Sequence, residues 1–316
     1  MSMTQMPIIS LANSNAAALG KALGDSFEAY GFATVTDHGL DPELVARAWA
    51  LTKELFEQDE AQKRLGYKAG IAGARGYTPF NTEIAKGAEH HDLKEFWHVG
   101  RSLAAGNPLR SSMPDNIWPE VAGFQATFEE LYNAMDAVGA KILSSIALYL
   151  GLDAHWFDPA IADGNSVLRL LHYPPIAGAT AKDTGGAIRA GAHEDINLIT
   201  LLLGAEEAGL EILRPDGSWM SVSPPGGGIA VNVGDMLQRL TNHMLPSTTH
   251  RVVNPVGARS TFSRYSMPYF LHLRSDFPIA TLPECIDGDH PNRYPQAILA
   301  DDYLRERLIE IGLLKA

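Results

Sequence analysis

Gly191-Ala192-His193-Glu194-Asp195 runs directly into Ile196-Asn197-Leu198-Ile199-Thr200-Leu201-Leu202-Leu203, a turn feeding an apolar strand. In extended chain, positions two apart project to the same face, so His193 and Asp195 offer an imidazole and a carboxylate together. Two nitrogens and one oxygen are what a facial triad needs to hold a non-haem Fe(II) while leaving coordination positions open. The missing ligand is one more histidine, and His250 is the candidate.

A His-x-Asp triplet is weak evidence alone, and the sequence supplies its own control in His90-His91-Asp92. That copy lies in Ala88-Glu89-His90-His91-Asp92-Leu93-Lys94-Glu95, a charged run without strand period that reads as solvated surface. Only the copy at 193–195 leads into a buried strand.

Composition narrows the class. A chain of 316 residues, 46% hydrophobic, can bury a full core. A formal charge of −12 argues against a nucleic-acid surface, which needs a basic patch. No apolar run is long enough for a membrane span, and Met1 to Pro7 lacks the basic and apolar regions of a signal peptide. The single cysteine, Cys285, excludes internal disulfides and fits a reducing, cytoplasmic setting.

Along the chain, Pro7 to Leu11 reads as an edge strand, Asn13 or Ser14 caps a helix to about Tyr30, and Gly31 to Thr36 reads as a strand. Asp41-Pro42 opens a helix striped by Leu44, Ala48, Leu51 and Leu55. Residues 66 to 118 are irregular, with a strand expected near 93–99. Val121, Phe124, Phe128, Leu131, Met135, Val138, Ile142 and Tyr149 keep helical steps from Pro119 to Leu150, closed by Gly151. Then the period changes. Short strands follow at 166–173, 197–203, 210–213, 218–222, 229–233, 248–253 and 263–273, with Pro215-Asp216-Gly217 as a hairpin turn, and a last helix runs from Asp301 to Leu314. The expectation is one α+β domain over 1–316 with a mainly β core. A helical and loop part (1–155) packs on a barrel or sandwich core (166–275), followed by a C-terminal segment and helix (276–316).

The interval from Asp195 to His250 leaves room for about four strands, enough for a jelly roll to bring His250 back beside the first pair. His38, His243 and His272 read as structural. Further on, Arg264 and Ser266 share one strand face, so a guanidinium and a hydroxyl point into one pocket. That pair suits a carboxylate, which the planar fork binds through both oxygens; an Asp or Glu of the protein would serve equally. Tyr173 could add its phenol or could be core packing.

With these residues quoted, the chain resembles the 2-oxoglutarate- and Fe(II)-dependent dioxygenases, in the isopenicillin N synthase-like branch. The resemblance rests on His193-x-Asp195, His250 and Arg264-x-Ser266. It extends through Pro7 to Leu11, Gly31 to Gly39, Leu168 to Pro175, Gly234-Asp235-Met236-Leu237 and Met267 to Phe270. It implies a double-stranded β-helix (jelly-roll) core with flanking helices. It further implies iron on His193, Asp195 and His250, and 2-oxoglutarate held through its distal carboxylate by Arg264, Ser266 and Tyr173. O2 would complete the chemistry, and the substrate would be a small organic molecule. Two departures stand out. Leu171-His172-Tyr173 replaces the family's Asn-Tyr-Tyr, and the step to Arg264 is long, as if a turn were inserted at Asn254 to Gly257. Two other readings stay open: an oxidase that needs no 2-oxoglutarate, and a non-catalytic or zinc-binding jelly roll. Neither the substrate nor the oligomeric state is legible.

Overall fold

A computed structural model of the chain describes residues 6–71, 73–80, 82–83, 90–176, 188–203, 209–255 and 257–310. The N-terminal part contributes β1 (Ile8–Ser10), α1 (Ala16–Tyr30), β2 (Phe32–Thr36), α2 (Pro42–Glu57), α3 (Glu60–Arg64), β3 (Gly76–Thr78), β4 (Glu95–Gly100) and α4 (Phe124–Tyr149). After a short α5 (Asp158–Ile161) come β5 (Val167–Tyr173), β6 (Ala190–His193), β7 (Ile199–Leu203), β8 (Leu210–Leu213), β9 (Trp219–Ser221) and β10 (Ile229–Val233). The chain continues with α6 (Asp235–Leu240), β11 (His250–Val252), β12 (Arg264–Leu271), β13 (Pro278–Ile279), β14 (Ile298–Leu299) and α7 (Ala300–Glu310).

Eight strands form one large sheet in the order β1-β2-β10-β7-β12-β5-β4-β3, and β6-β11-β8-β9 form a smaller one. All neighbouring pairs are antiparallel except β1 with β2. Alternation along each strand gives the large sheet two faces. The outer face carries Leu168 and Leu170 of β5, Leu201 and Leu203 of β7, and Met267, Tyr269 and Leu271 of β12. It packs on the apolar stripes of α1, α2 and α4 in one continuous core. Two glycines let α1 close on α4, because a Cβ on Gly24 would fall into the Tyr149 ring and one on Gly20 would strike the Ser145 carbonyl. On the inner face, Phe32, Ala230 and Leu202 meet Leu210, Ile212, Met220 and Val222 of the smaller sheet. Two antiparallel sheets closed over a shared interior, with helices outside, make the expected jelly roll.

Several expectations shift. Asn15, not Asn13 or Ser14, caps α1, since its side chain accepts from Ala18 N. The long helix starts at Phe124 rather than Pro119. It ends as expected: Gly151 takes φ +77°, with Leu152 N reaching Ala147 O and Gly151 N reaching Leu148 O. Strand β6 and helix α6 had no separate expectation. The last helix begins at Ala300, and residues 311–316 lie outside the described residues. The turn expected at Asn254 to Gly257 leads into a 3₁₀ turn at Gly257–Thr261, Val256 itself lying outside the described residues.

The largest correction concerns 88–95, expected to be a solvated surface. His90 and His91 are exposed, but Asp92, Lys94 and Glu95 are buried. Lys94 Nζ lies 2.6 Å from Glu83 and 2.8 Å from Asp92, so the charges are buried as matched pairs.

Candidate metal and co-substrate site

His193 ends β6, His250 begins β11, and the two are direct partners across the antiparallel ladder. Strand pairing therefore sets one imidazole beside the other, with ring centroids 4.4 Å apart. Asp195, two residues past His193, swings its carboxylate between them. Oδ1 is 3.8 Å from His193 Nε2 and Oδ2 is 3.9 Å from His250 Nε2. One ligand atom from each of the three lies within 4.8 Å of the others, and among the described residues this is the one such group of His, Cys, Asp or Glu.

The hydrogen bonding suits a metal. His193 Nδ1 is 2.7 Å from Gly191 O, and His250 Nδ1 is 3.2 Å from Thr248 O. In a neutral ring, donation to such a carbonyl puts the proton on Nδ1 and leaves the Nε2 lone pair free, as ligation requires. Burial, then the neighbouring His193, pushes the His250 pKa down to about 4, so this imidazole is neutral near pH 7. Burial works against the charged form of Asp195, yet His250, His193 and two hydrogen bonds overcome it and hold the pKa below the usual carboxylate range. Those bonds come from Thr200 Oγ1 (2.5 Å) and Asn232 Nδ2 (2.8 Å), both to Oδ2. Asn197 in turn donates to Thr200.

Away from the triad along the inner face, Arg264 and Ser266 do share a face, as expected of alternate strand positions. Both are buried, Nη1 to Oγ at 3.5 Å, and Arg264 Nε has no partner among the described residues. Tyr173 is the ladder partner of Arg264, with its ring 5.0 Å from the guanidinium carbon. His172 points to the other side of β5. It stacks against both Phe56 and Tyr265 and bonds Glu95 (2.7 Å) and Ser263 (2.9 Å). His172 therefore fills an outer-face network tied to the start of β12, whereas Leu171 lies on the inner face with Phe96 and Tyr173.

Residues 164–273 match the 2OG-Fe(II) oxygenase superfamily, and 6–121 match the non-haem dioxygenase N-terminal region named for morphine synthesis. A 2-oxoglutarate-Fe(II) type oxidoreductase of Emericella nidulans is 31% identical over 296 residues, covering 90% of this chain and 82% of its own. The chain belongs to the 2OG-Fe(II) oxygenase superfamily. The crystal structure of a Caulobacter crescentus 2OG-Fe(II) oxygenase family protein superposes with TM-score 0.90 at 48% identity, covering 98% of this chain and 100% of that one. A full-length Neurospora crassa protein solved with alpha-KG (2-oxoglutarate) gives TM-score 0.86 at 26% identity, covering 98% and 97%. This oxygenase is therefore a 2-oxoglutarate- and Fe(II)-dependent dioxygenase that uses O2, and the oxidase and zinc alternatives are not favoured.

Sequence reasoning missed the residues behind the candidate ligands. Thr200 and Asn232 each had a signal, a lone polar residue in an otherwise apolar strand. Asp92, part of the control triplet, accepts from Gly191 N at 2.9 Å and so pins the strand that ends in His193. Beside it, Arg169 donates to His98 (2.6 Å), pairs with Glu83 (3.2 Å) and lies over Phe96 and Phe270. His38 and His243 take the structural places expected of them, bonded to Gly227 O and to the Tyr294 hydroxyl.

Proposed function

We propose that His193, Asp195 and His250 are the protein ligands of the catalytic Fe(II), and that Arg264 and Ser266, with Tyr173 against the guanidinium, receive the distal carboxylate of 2-oxoglutarate. The observation that carries this is the convergence of two imidazole nitrogens and one carboxylate oxygen within 4.8 Å. The buried Arg264 Nε, without a partner among the described residues, supports the clamp.

Iron, when bound, supplies activation of O2 and the oxidising chemistry. The chain's own tasks are geometric. Gly191 and Thr248 carbonyls fix the imidazole tautomers, and Thr200 with Asn232 occupy Asp195 Oδ2 and leave Oδ1 for the metal. The side chain of Asp195 is 8% exposed and that of His250 9%, whereas His193 is 33% exposed. The site thus opens on the His193 side, which supports entry of a small organic substrate there. The thymine bound to the Neurospora crassa protein points the same way.

The whole chain, 1–316, is read as one domain, supported by β1 to β4 of the N-terminal part being hydrogen-bonded into the sheet of the core. The acidic balance supports a role without nucleic acid, and the lone buried Cys285 supports a cytoplasmic setting. The test is succinate formation from 2-oxoglutarate with Fe(II) and O2, which alanine at His193, Asp195 or His250 should lower at least about 100-fold. Normal turnover by His250→Ala would overturn the ligand assignment.

A further inference from the structure

Arg75 is a buried cation with an unused fork. The residue is 1% exposed. Nη1 reaches the Ala74 carbonyl at 2.7 Å, but among the described residues Nε and Nη2 have no hydrogen-bond partner and Arg75 forms no ion pair. Its neighbours on the inner face are matched: Arg169 pairs with Glu83, and Lys94 pairs with Glu83 and Asp92. Nε–H and Nη2–H form one parallel edge of a guanidinium, the edge that donates to both oxygens of a carboxylate.

The sheet register places this edge relative to the metal site. The guanidinium lies against Gly100, where a Cβ would fall 1.9 Å from Arg75 Cζ. Gly100 pairs with Val167, Val167 with Phe270, Phe270 with Thr200, and Thr200 with Asn232. Thr200 and Asn232 hold Asp195, so one row of the inner face joins Arg75 to the triad. Gly100 and Thr200 are three strand spacings apart, roughly 14 Å, and the Arg75 guanidinium sits at the Gly100 end of that span. Between them Val167 and Phe270 are only partly buried although their strands are interior to the sheet, and the Arg169 guanidinium, paired with Glu83, flanks the row over the Phe270 ring.

We propose that Arg75 anchors a carboxylate of the primary substrate, which lies along the Gly100-to-Thr200 row with its oxidised carbon at the triad end. The proposal rests on the metal and co-substrate reading above and names the substrate class, a small organic acid.

The probe is acetate, added to protein loaded anaerobically with Fe(II) and saturating 2-oxoglutarate, so that Arg264 is occupied. Melting temperature is read for the wild type, Arg75→Met and Arg75→Lys. Acetate should raise the wild-type value by about 2 °C or more in a saturable way. Both variants should lose that response, and Arg75→Met without acetate should melt no lower than the wild type, since it removes an unmatched buried charge. An equal acetate response in the wild type and Arg75→Lys, no saturable response in the wild type, or a clearly lower melting temperature for Arg75→Met would each overturn the proposal. The Fe(II)–2-oxoglutarate absorption band, recorded on the same samples, separates the two readings. Its absence in the wild type sinks the metal and co-substrate assignment, whereas its retention in a variant that has lost the acetate response confines the effect to Arg75.

Discussion

His193 and His250 are ladder partners in the β6–β11 pair, so the hydrogen bonds of a two-strand ladder set the nitrogen–nitrogen geometry of the site. Their rings also contact one another and, for His250, the edge of Phe32. Alanine at either histidine should abolish stoichiometric Fe(II) binding while leaving the fold in place. Metal content after anaerobic reconstitution, with circular dichroism as the control, checks this; full iron occupancy in either variant would contradict it.

Asp195 reaches the site already hydrogen-bonded on Oδ2 by Thr200 and Asn232. Removing either donor frees the carboxylate to turn, and outer partners of this kind change metal affinity about 10- to 100-fold. Thr200→Val and Asn232→Ala should each weaken Fe(II) binding by that factor without abolishing it, as read by competition with a chelator.

The clamp predicts a split between charge and shape. Arg264→Lys keeps the charge but loses the fork, so the KM for 2-oxoglutarate should rise about 10-fold or more. Ser266→Ala removes one donor and should cost about 1 kcal/mol, a rise of roughly five-fold. Steady-state succinate release against 2-oxoglutarate concentration measures both.

On the outer face, Glu95 accepts from Lys63 at 2.8 Å, from His172 and from the Tyr77 hydroxyl. Burial opposes its charge, but these bonds keep its pKa below the usual range. Glu95→Ala would strand the Lys63 ammonium in the interior, and breaking such a pair costs about 3–5 kcal/mol. Urea unfolding should show that loss, together with weaker 2-oxoglutarate binding because His172 no longer ties Ser263 beside Arg264.

Acid stability follows from two desolvated histidines, one buried and one half-buried. Burial, the first cause for both, brings the pKa of His250 and of His272 down to about 4 from 6.5. A depressed histidine pKa means that the unfolded chain binds the proton first. Stability of the metal-free protein is then full above pH 6.5 and falls as pH drops towards 4, by about 3 kcal/mol for each group. His272→Gln should flatten that slope in pH-dependent unfolding; an unchanged slope would contradict the burial argument.

Much of this was legible in the sequence because it is local. His193-x-Asp195 before an apolar run, Arg264-x-Ser266 on one strand face, and the helical stripe ending at Gly151 all depend on spacing alone. Even the four strands expected between Asp195 and His250 are present, as β7 to β10. What escaped depends on pairing between distant segments. Asp92, Lys94 and Glu95 look solvated until β4 carries them beside Glu83, Gly191 and Lys63. Strand β6, Ala190-Gly191-Ala192-His193, has little β preference and exists because β11 pairs with it. The cap of α1 was misjudged among three adjacent polar residues, of which only Asn15 bonds Ala18 N.

The most direct test of the central claim is an anaerobic titration of the Fe(II) protein with 2-oxoglutarate, followed by the visible charge-transfer absorption of the chelate. The account predicts a saturable band in the wild type, much weaker 2-oxoglutarate binding in Arg264→Ala, and no band in His250→Ala. A band of wild-type strength and affinity in His250→Ala, or iron binding with no band in the wild type, would contradict it.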